Sequence, residues 1–454
     1  MKVVVVGGGI SGLAAARALE GLVPDAEIVL LEASERVGGV LRTEHVDGFV
    51  IECGPDSFLS RKPRGVGLCE ELGLGDELIG RRPENARSFV RLGGELHPLP
   101  EGLTGMIPTN LDALEESTLL SPEGKQRLAA EAELPPQPPG GDESIASFVT
   151  RRLGREAYER LVEPLTTGIY GGDGEQLSLQ ATFPQLRALE LEHGSILRGL
   201  QALSVPSAAM RPPFLSLRSG MEALVHAVAD DLRQTTTRGT AQAVSVRASS
   251  GRYAVEDESL GIVEVDGVIL ATPAYVAAEL VAELDSELAE TLAEIPYAGS
   301  AIVTLGYRRD EVAHPLDGYG YVVPRSAASS VLACTWTSSK WEGRAPDDHV
   351  LLRVFAGGFE RSDEDLVRLA RDEITLLGIR AEPVLTRVHR WPRRMPQYVL
   401  GHPERLDRID AALERHPGLA LAGAAYRGVG IPDCIHSGEE AARSLAASLA
   451  AARS

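Results

Sequence analysis

The chain has 454 residues, with 45 basic and 65 acidic side chains and a formal net charge of -20. That length exceeds what one core organises, so two or three domains are expected; the acidic balance argues against nucleic acid as a partner and for a soluble, mutually repelling particle. No apolar run reaches the roughly 20 residues that span a bilayer, and Cys53, Cys69, Cys334 and Cys434 share no zinc spacing and suit a reducing compartment.

Lys2-Val3-Val4-Val5-Val6 predicts a strand buried on both faces. Met1-Lys2 leads directly into it without a signal-peptide pattern, so a cytoplasmic location is expected, with peripheral membrane association left open. Gly7-Gly8-Gly9-Ile10-Ser11-Gly12 follows, then an Ala-rich helix from Leu13 to Leu22 and a second strand, Glu27 to Leu31, ending at Glu32. Strand, G-x-G-x-x-G, helix, strand and acid make a dinucleotide-binding unit. Gly7 makes the turn, Gly9 lets a pyrophosphate approach the backbone, and Gly12 lets the helix pack closely on the strand. The helix N-terminus offers N–H groups and partial positive charge to the phosphates. Glu32 can accept hydrogen bonds from a ribose diol and repels a phosphate there, which disfavours NADP. In Glu32-Ala33-Ser34-Glu35-Arg36-Val37-Gly38-Gly39-Val40, Arg36 is a fixed cation near the pyrophosphate, and two more glycines admit the cofactor a second time.

Further along, Gly48 to Leu59 reads as a short strand and a turn through Gly54-Pro55-Asp56-Ser57. A helix runs from Arg61-Lys62 to about Leu72, and Ser88 to Pro98 is a hairpin around Gly93-Gly94. Residues from about 99 to 210 are helical, broken by a loop at Pro135 to Gly141, with helices at Ser144 to Leu153 and Glu156 to Leu165. Ser204 to Phe214, with three prolines, is a return linker, and Ser219 is the expected N-cap of the next helix. Strands follow at Thr240 to Val246, Tyr253 to Asp257 and Ile262 to Leu270. A second sheet is expected from Ala301 to Tyr307, Tyr319 to Pro324, Val331 to Thr337 and Leu351 to Phe355, a suitable roof for a large apolar ligand. Leu419 to Gly423 is a strand, and the last helix reaches about Ala451, its N-terminal amides facing an electron-rich cofactor edge.

E-A-S-x-R-x-G-G at Glu32 to Gly39 resembles the FAD-binding signature of the amine oxidase and protoporphyrinogen oxidase superfamily. The resemblance implies FAD, and an α/β (α+β) fold: a Rossmann-like FAD-binding domain (1–80, 212–290 and 415–454), a mixed-sheet substrate domain (81–98 and 291–414) and a helical insert (99–211). It places Gly54, Pro55, Asp56 and Ser57 beside the flavin, the Val244 backbone at the adenine and Trp391 near the isoalloxazine. It adds Gly423, Val429, Gly430 and Ile431, within G-V-G-I-P-D-C-I, to the cofactor residues Gly7, Gly8, Gly9, Ile10, Ser11, Gly12, Glu32, Ala33, Arg36, Gly38, Gly39 and Val40.

E-P-L-x-x-G-I-Y-x-G-D at Glu163 to Asp173, with Leu177-Ser178 and Thr182-Phe183-Pro184, is similar to the porphyrinogen oxidase branch. By that resemblance the Gly168 backbone lies over the substrate, and Gly320, Val322 and Phe355 line its cavity, though core packing alone explains a buried Val or Phe. No acid or base residue and no metal is assigned. The implied reaction is oxygen-dependent, six-electron oxidation of a porphyrinogen in haem biosynthesis, releasing hydrogen peroxide, with transient contact to a ferrochelatase. Thr104 and Asp56 stand where animal and plant relatives carry substrate-binding arginines. Gly54 to Leu59, Ala333 to Thr337 and Lys340-Trp341 resemble the coproporphyrinogen oxidases of Gram-positive-type bacteria. Coproporphyrinogen III is therefore expected ahead of protoporphyrinogen IX, with Arg61 and Lys62 as candidates for its propionates. An amine oxidase is disfavoured, since no Lys lies between Lys125 and Lys340. A porphyrin carrier is a further alternative, and a monotopic membrane oxidase is disfavoured by the many charges of the insert from about 99 to 210.

Overall fold

The structure, a computed structural model, describes residues 1–138, 140–203, 211–257 and 261–452. Its first sheet is parallel and five-stranded. The order is Thr235–Arg238, Glu27–Leu31, Lys2–Val6, Gly267–Leu270 and Leu419–Leu421, with the β-branched opening strand at the centre. Its side chains alternate as a strand demands. Val3 and Val5 pack under the helices Ile10–Leu22 and Ile431–Ala451. Val4 and Val6 face the helix Ala274–Val281 and a three-stranded antiparallel sheet. Burial on both faces explains why the run reads as uniformly apolar.

Two strand readings change. Ile262 to Leu270 is two strands, Gly261–Val265 in the antiparallel sheet and Gly267–Leu270 in the parallel one. Asp266 makes the corner: its N–H donates to the Lys2 carbonyl at 2.8 Å and its carboxylate accepts from the Lys2 N–H at 2.7 Å. A continuous apolar run hides such a corner, because both halves are buried. Thr240 to Val246 is displaced to Ala243–Ser249, while the preceding Thr235–Arg238 forms the polar edge of the parallel sheet. Ser219 is not an N-cap. Its N–H and hydroxyl bind Glu77, and the helix is Glu222–Asp231. Of the expected return linker, 204–210 lie outside the described residues, and Phe214–Leu217 is a strand.

The second sheet has seven strands. Their order is Leu385–Pro396, Tyr297–Arg308, His349–Ala356, Val331–Trp336, Gly320–Val322, Phe89–Leu92 and Glu95–Pro98. The early hairpin thus joins a sheet built 200 residues later, Phe89 pairing in parallel with Tyr321. The outermost strand, Leu385–Pro396, is rich in arginine and carries two prolines, which an edge position tolerates and which masked it in the sequence. Helices from Leu111 to Leu203 enclose a third core around Phe148, Leu161 and Ile196, which packs against Val90 and Val322 of the seven-stranded sheet. The expected helix Glu156 to Leu165 is interrupted by a wider turn at Tyr158–Val162 before Glu163–Tyr170 begins. Among the described residues no helix is long and apolar enough to cross a membrane.

The first and last helices meet backbone to backbone. A Cβ on Gly438 would lie 2.1 Å from the Ser11 carbonyl oxygen, and one on Gly12 1.8 Å from that of Gly7. Helix propensity alone favours Gly438→Ala by about 1 kcal/mol. The packing reverses the sign, and G438A is expected to lower stability by ~1–3 kcal/mol in denaturant unfolding. A stabilised variant would contradict this packing.

Candidate active site

Gly7 has φ +104°, and a Cβ there would strike the Ala271 carbonyl at 2.6 Å, so only glycine makes this turn. Beside Gly9, by contrast, no atom lies within 4 Å of a Cβ. The helix that begins here has no side-chain cap and no acid in its first turn. Its N–H groups and dipole face open space, which suits a pyrophosphate. Ile10 and Ser11 have buried side chains and can offer only backbone. Glu32 is fixed against the turn: Oε2 accepts from Gly8 N–H at 2.7 Å, and Oε1 accepts from Ser34 N–H at 2.8 Å and Ser34 Oγ at 2.6 Å. It is half-buried beside exposed Ala33, well placed for a ribose.

The second glycine pair closes on the first. Gly38 N–H donates to the Gly8 carbonyl at 2.7 Å, and a Cβ on Gly39 would lie 3.4 Å from Gly9 Cα. Arg36 clamps this loop from behind, donating to the Val37, Gly39 and Leu41 carbonyls and to Glu222. Its hydrogen bonds hold the loop and its charge is matched by Glu222. From Gly39 the wall continues through Val40 to Gly54, where a Cβ would lie 2.1 Å from the Val40 carbonyl oxygen. Gly423 (φ +126°) approaches Ser11 from the other side and donates to Ser437 Oγ at 3.0 Å. Gly430 begins the last helix, but its N–H is bound by Asp433 at 3.2 Å, so that amide is not free for a cofactor. Ile431 is buried in the first core, and Val429 packs on the helical cluster. Val244 is 45% exposed, at the start of the strand Ala243–Ser249. Ala241 N–H nearby donates to the Glu32 carbonyl at 2.9 Å.

The wall opens into a cavity of about 570 Å³, lined mostly by apolar side chains. Val40, Gly54, Pro55, Asp56, Ser57, Gly168, Gly320, Val322, Phe355 and Trp391 all border it. Gly320 is obligatory, since a Cβ would lie 2.1 Å from the Cys334 carbonyl oxygen at φ +128°. Gly168 presents bare backbone, with only Val322 at 3.6 Å from its Cβ position. Trp391 is latched in place by Nε1–H donating to the Cys53 carbonyl at 2.6 Å.

One end of this cavity is charged. Asp56 Oδ2 accepts from Lys340 Nζ at 2.8 Å and Trp341 Nε1–H at 3.1 Å, and Ser57 Oγ donates to Oδ1 at 2.8 Å. Burial alone would raise the Asp56 pKa, but Lys340 and Arg353 outweigh it and hold the carboxyl well below its usual range. Arg353, fully buried, donates to the Gly54 carbonyl at 2.5 Å. Arg81 borders the same end. Arg353, Lys340 and Arg81 were not among the site residues expected from sequence. A signal existed for two of them: an arginine inside the apolar strand Leu-Leu-Arg-Val-Phe, and one of only four lysines in the chain. Arg61 and Lys62 do not border the cavity, and Lys62 is engaged by both oxygens of Asp433, at 2.5 and 2.6 Å. Thr104 is exposed on a small hairpin. Beneath Gly168, buried Glu163 accepts from Thr167 Oγ1 at 2.7 Å and Arg325 N–H at 3.1 Å, with its pKa raised by burial.

Residues 10–446 match the model of the flavin containing amine oxidoreductases. The chain belongs to this family. It is an FAD-dependent oxidoreductase. It is 35% identical to coproporphyrinogen III oxidase of Bacillus subtilis (strain 168), over 97% of this chain and 96% of that one. It is 32% identical to protoporphyrinogen oxidase 1, chloroplastic, of Arabidopsis thaliana, over 97% and 87%. The solved structure of a protein described as a protoporphyrinogen oxidase, from Exiguobacterium sp. 255-15, superposes with a TM-score of 0.88 at 36% identity over 98% of each chain. A putrescine oxidase at 19% identity and TM-score 0.68 shares the fold. The FAD-binding α/β (α+β) architecture is thus that of the family.

Two expectations follow for this family member. Glu32→Ala removes the acceptor that faces the turn, and should weaken FAD binding to apoprotein roughly ten- to a hundredfold in a fluorescence titration. Unchanged affinity would remove Glu32 from the ribose site. The second concerns the entry to the last helix. Tyr398 OH donates to the Ala424 carbonyl at 2.6 Å and accepts from Gly428 N–H at 2.8 Å, and its ring stacks on His402 at 4.2 Å. Burial lowers the His402 pKa from 6.5 to about 4, against the raising effect of its bond to the Tyr426 carbonyl. The unfolded chain therefore takes up a proton between pH 6.5 and 4 that the folded chain refuses. This contribution to stability is complete above 6.5 and is lost as pH falls to about 4. Urea unfolding of wild type should lose stability from pH 7 to 5, and His402→Gln should lose less. Equal losses would show that His402 does not carry the effect.

Proposed function

We propose that the chain oxidises coproporphyrinogen III to coproporphyrin III, removing six electrons at the expense of oxygen and releasing hydrogen peroxide, as a step of haem biosynthesis. The observation that carries this reading is the cavity. Apolar walls run along its length, a bare glycine backbone lies on one side, and one end is cationic. That combination suits a flat tetrapyrrole with carboxylate side chains. The name of the relative at 35% identity points the same way, while that of the relative at 32% carries the protoporphyrinogen alternative.

Bound FAD would supply the two-electron acceptor chemistry. The chain's own residues bind and orient. In this proposal the amides of Gly9, Ile10 and Ser11, with Gly39 and Val40, take the pyrophosphate, and Gly8 and Gly38, whose own amides are bound, shape the turn around it. Glu32 takes the ribose, Val244 the adenine, and Gly54 to Ser57 with Trp391 border the isoalloxazine. The segment from Gly423 through Val429 to Ile431 closes the far side. Gly168, Gly320, Val322 and Phe355 hold the macrocycle against that face and exclude water. No side chain need act as a strong base, because aromatisation drives loss of the pyrrole protons to solvent. The proposed domain division follows the same roles, with the parallel sheet holding cofactor and the seven-stranded sheet roofing the substrate. Oxygen as acceptor and delivery of product to a ferrochelatase belong to this proposal.

Purified holoprotein in air, given freshly reduced coproporphyrinogen III or protoporphyrinogen IX, provides the test through porphyrin fluorescence and peroxide release. A larger kcat/KM for coproporphyrinogen is expected. A preference for protoporphyrinogen would make the two-propionate substrate the correct one. Turnover of neither, with flavin retained, would overturn the reading.

A further inference from the structure

Resting on that reading, we propose that Arg81 is a specificity-determining residue that receives a propionate carboxylate of the porphyrinogen. Arg81 follows the short strand Leu78–Gly80, whose pairing with Phe214–Leu217 sets Leu215 opposite Gly80. That register brings Phe214 beneath the guanidinium, with Tyr319 as a second ring, each centroid 4.6 Å from Cζ. The next residue anchors the turn: Arg82 N–H donates to the Lys340 carbonyl at 3.0 Å, and its carbonyl accepts from Tyr319 OH at 2.9 Å. The guanidinium is therefore held by its faces, and its N–H edges stay available for a planar, two-oxygen acceptor.

Among the described residues Arg81 has no carboxylate partner of its own. It borders the cavity, and burial lowers its pKa even though Tyr319 and Asp56 favour the cation. Among the described residues no carboxylate forms a salt bridge with it. The nearby acid, Asp56, is bonded to Lys340 and also faces Arg353, so this end holds three cations against one carboxylate. Arg353 is 1% exposed and bound to the Gly54 carbonyl, which leaves Arg81, of the three cations around Asp56, as the one with no carboxylate or carbonyl bound among the described residues; Arg394, the fourth cation that lines the cavity, is exposed. In a chain of net charge -20, a partly desolvated and unmatched arginine at the end of an apolar cavity points to an anionic ligand group. Lys340 neutralises Asp56, and Arg81 supplies excess positive charge at this end. Coproporphyrinogen carries a propionate on each of its four rings, so every edge that enters this end brings a carboxylate; protoporphyrinogen does so at only two.

The experiment compares wild-type holoenzyme with R81A, R81M and R81K. KM for coproporphyrinogen III should rise roughly ten- to a hundredfold in R81A and R81M, the loss of a charged hydrogen bond, with kcat changed by less than about twofold. R81K should recover part of the loss, keeping the charge without the fork. Coproporphyrin III should bind more weakly to R81A by the same factor, while its tetramethyl ester binds both proteins alike. Equal weakening of acid and ester would mean a packing role, and an unchanged KM in flavin-loaded R81A and R81M would overturn the proposal. R81M preserves side-chain length should R81A fail to retain flavin. If wild type oxidises neither porphyrinogen, the functional reading itself fails; if it does so and the variants keep its KM, only Arg81 is wrongly assigned.

Discussion

The two ends of this chain are joined by contact without side chains. Gly438 of the last helix lies against the Ser11 carbonyl of the first, and Gly12 lies against Gly7. Because nothing larger than hydrogen fits, the last helix is fixed in height and rotation over the first turn. That constraint carries Gly423 to Ser11, at the start of the first helix. The parallel sheet supplies the platform, and Leu419–Leu421 is its last strand before the final helix. Everything proposed for FAD depends on this closure, since one wall of its path comes from residues 7–54 and the other from the C-terminal segment.

A second dependence is electrostatic. The cavity is apolar along its walls, yet its end gathers Asp56, Lys340, Arg353 and Arg81 from four separate stretches of chain. Buried charges of this kind are tolerable only when matched. Asp56 and Lys340 match each other, and Arg353 is satisfied partly by a backbone carbonyl. The low pKa of Asp56 and the direction of the Lys340 shift, lowered chiefly by burial, describe one coupled pair; the short contact supports its charged form. Arg81 is stacked rather than paired, and so gives the end its excess of positive charge.

Much of the fold was legible. Regular periodicity identified the opening strand, helix and strand, the early hairpin and four strands of the second sheet. Misreadings have local causes. Asp266 turns a corner inside an apolar run, and Thr235–Arg238 is a polar edge strand. Leu385–Pro396 carries prolines and arginines that an edge permits. Ser219 had the chemistry of a cap but found Glu77 instead. Of the expected site residues, ten border one cavity. Others line the turn, while Val244 is exposed and Lys62 is held by Asp433.

Local sequence determined the cofactor unit, because its glycines and Glu32 act within 32 residues, where chain connectivity alone holds the geometry. It also carried the family, through motifs whose residue types are dictated by close backbone approach. The composition of the cavity's charged end was decided by tertiary structure. Residues 56, 81, 340 and 353 meet only in the folded chain, where Phe89 pairs with Tyr321 and completes the seven-stranded sheet. Charge acts through space, so which cation is matched and which faces the cavity depends on distances that spacing along the chain does not encode.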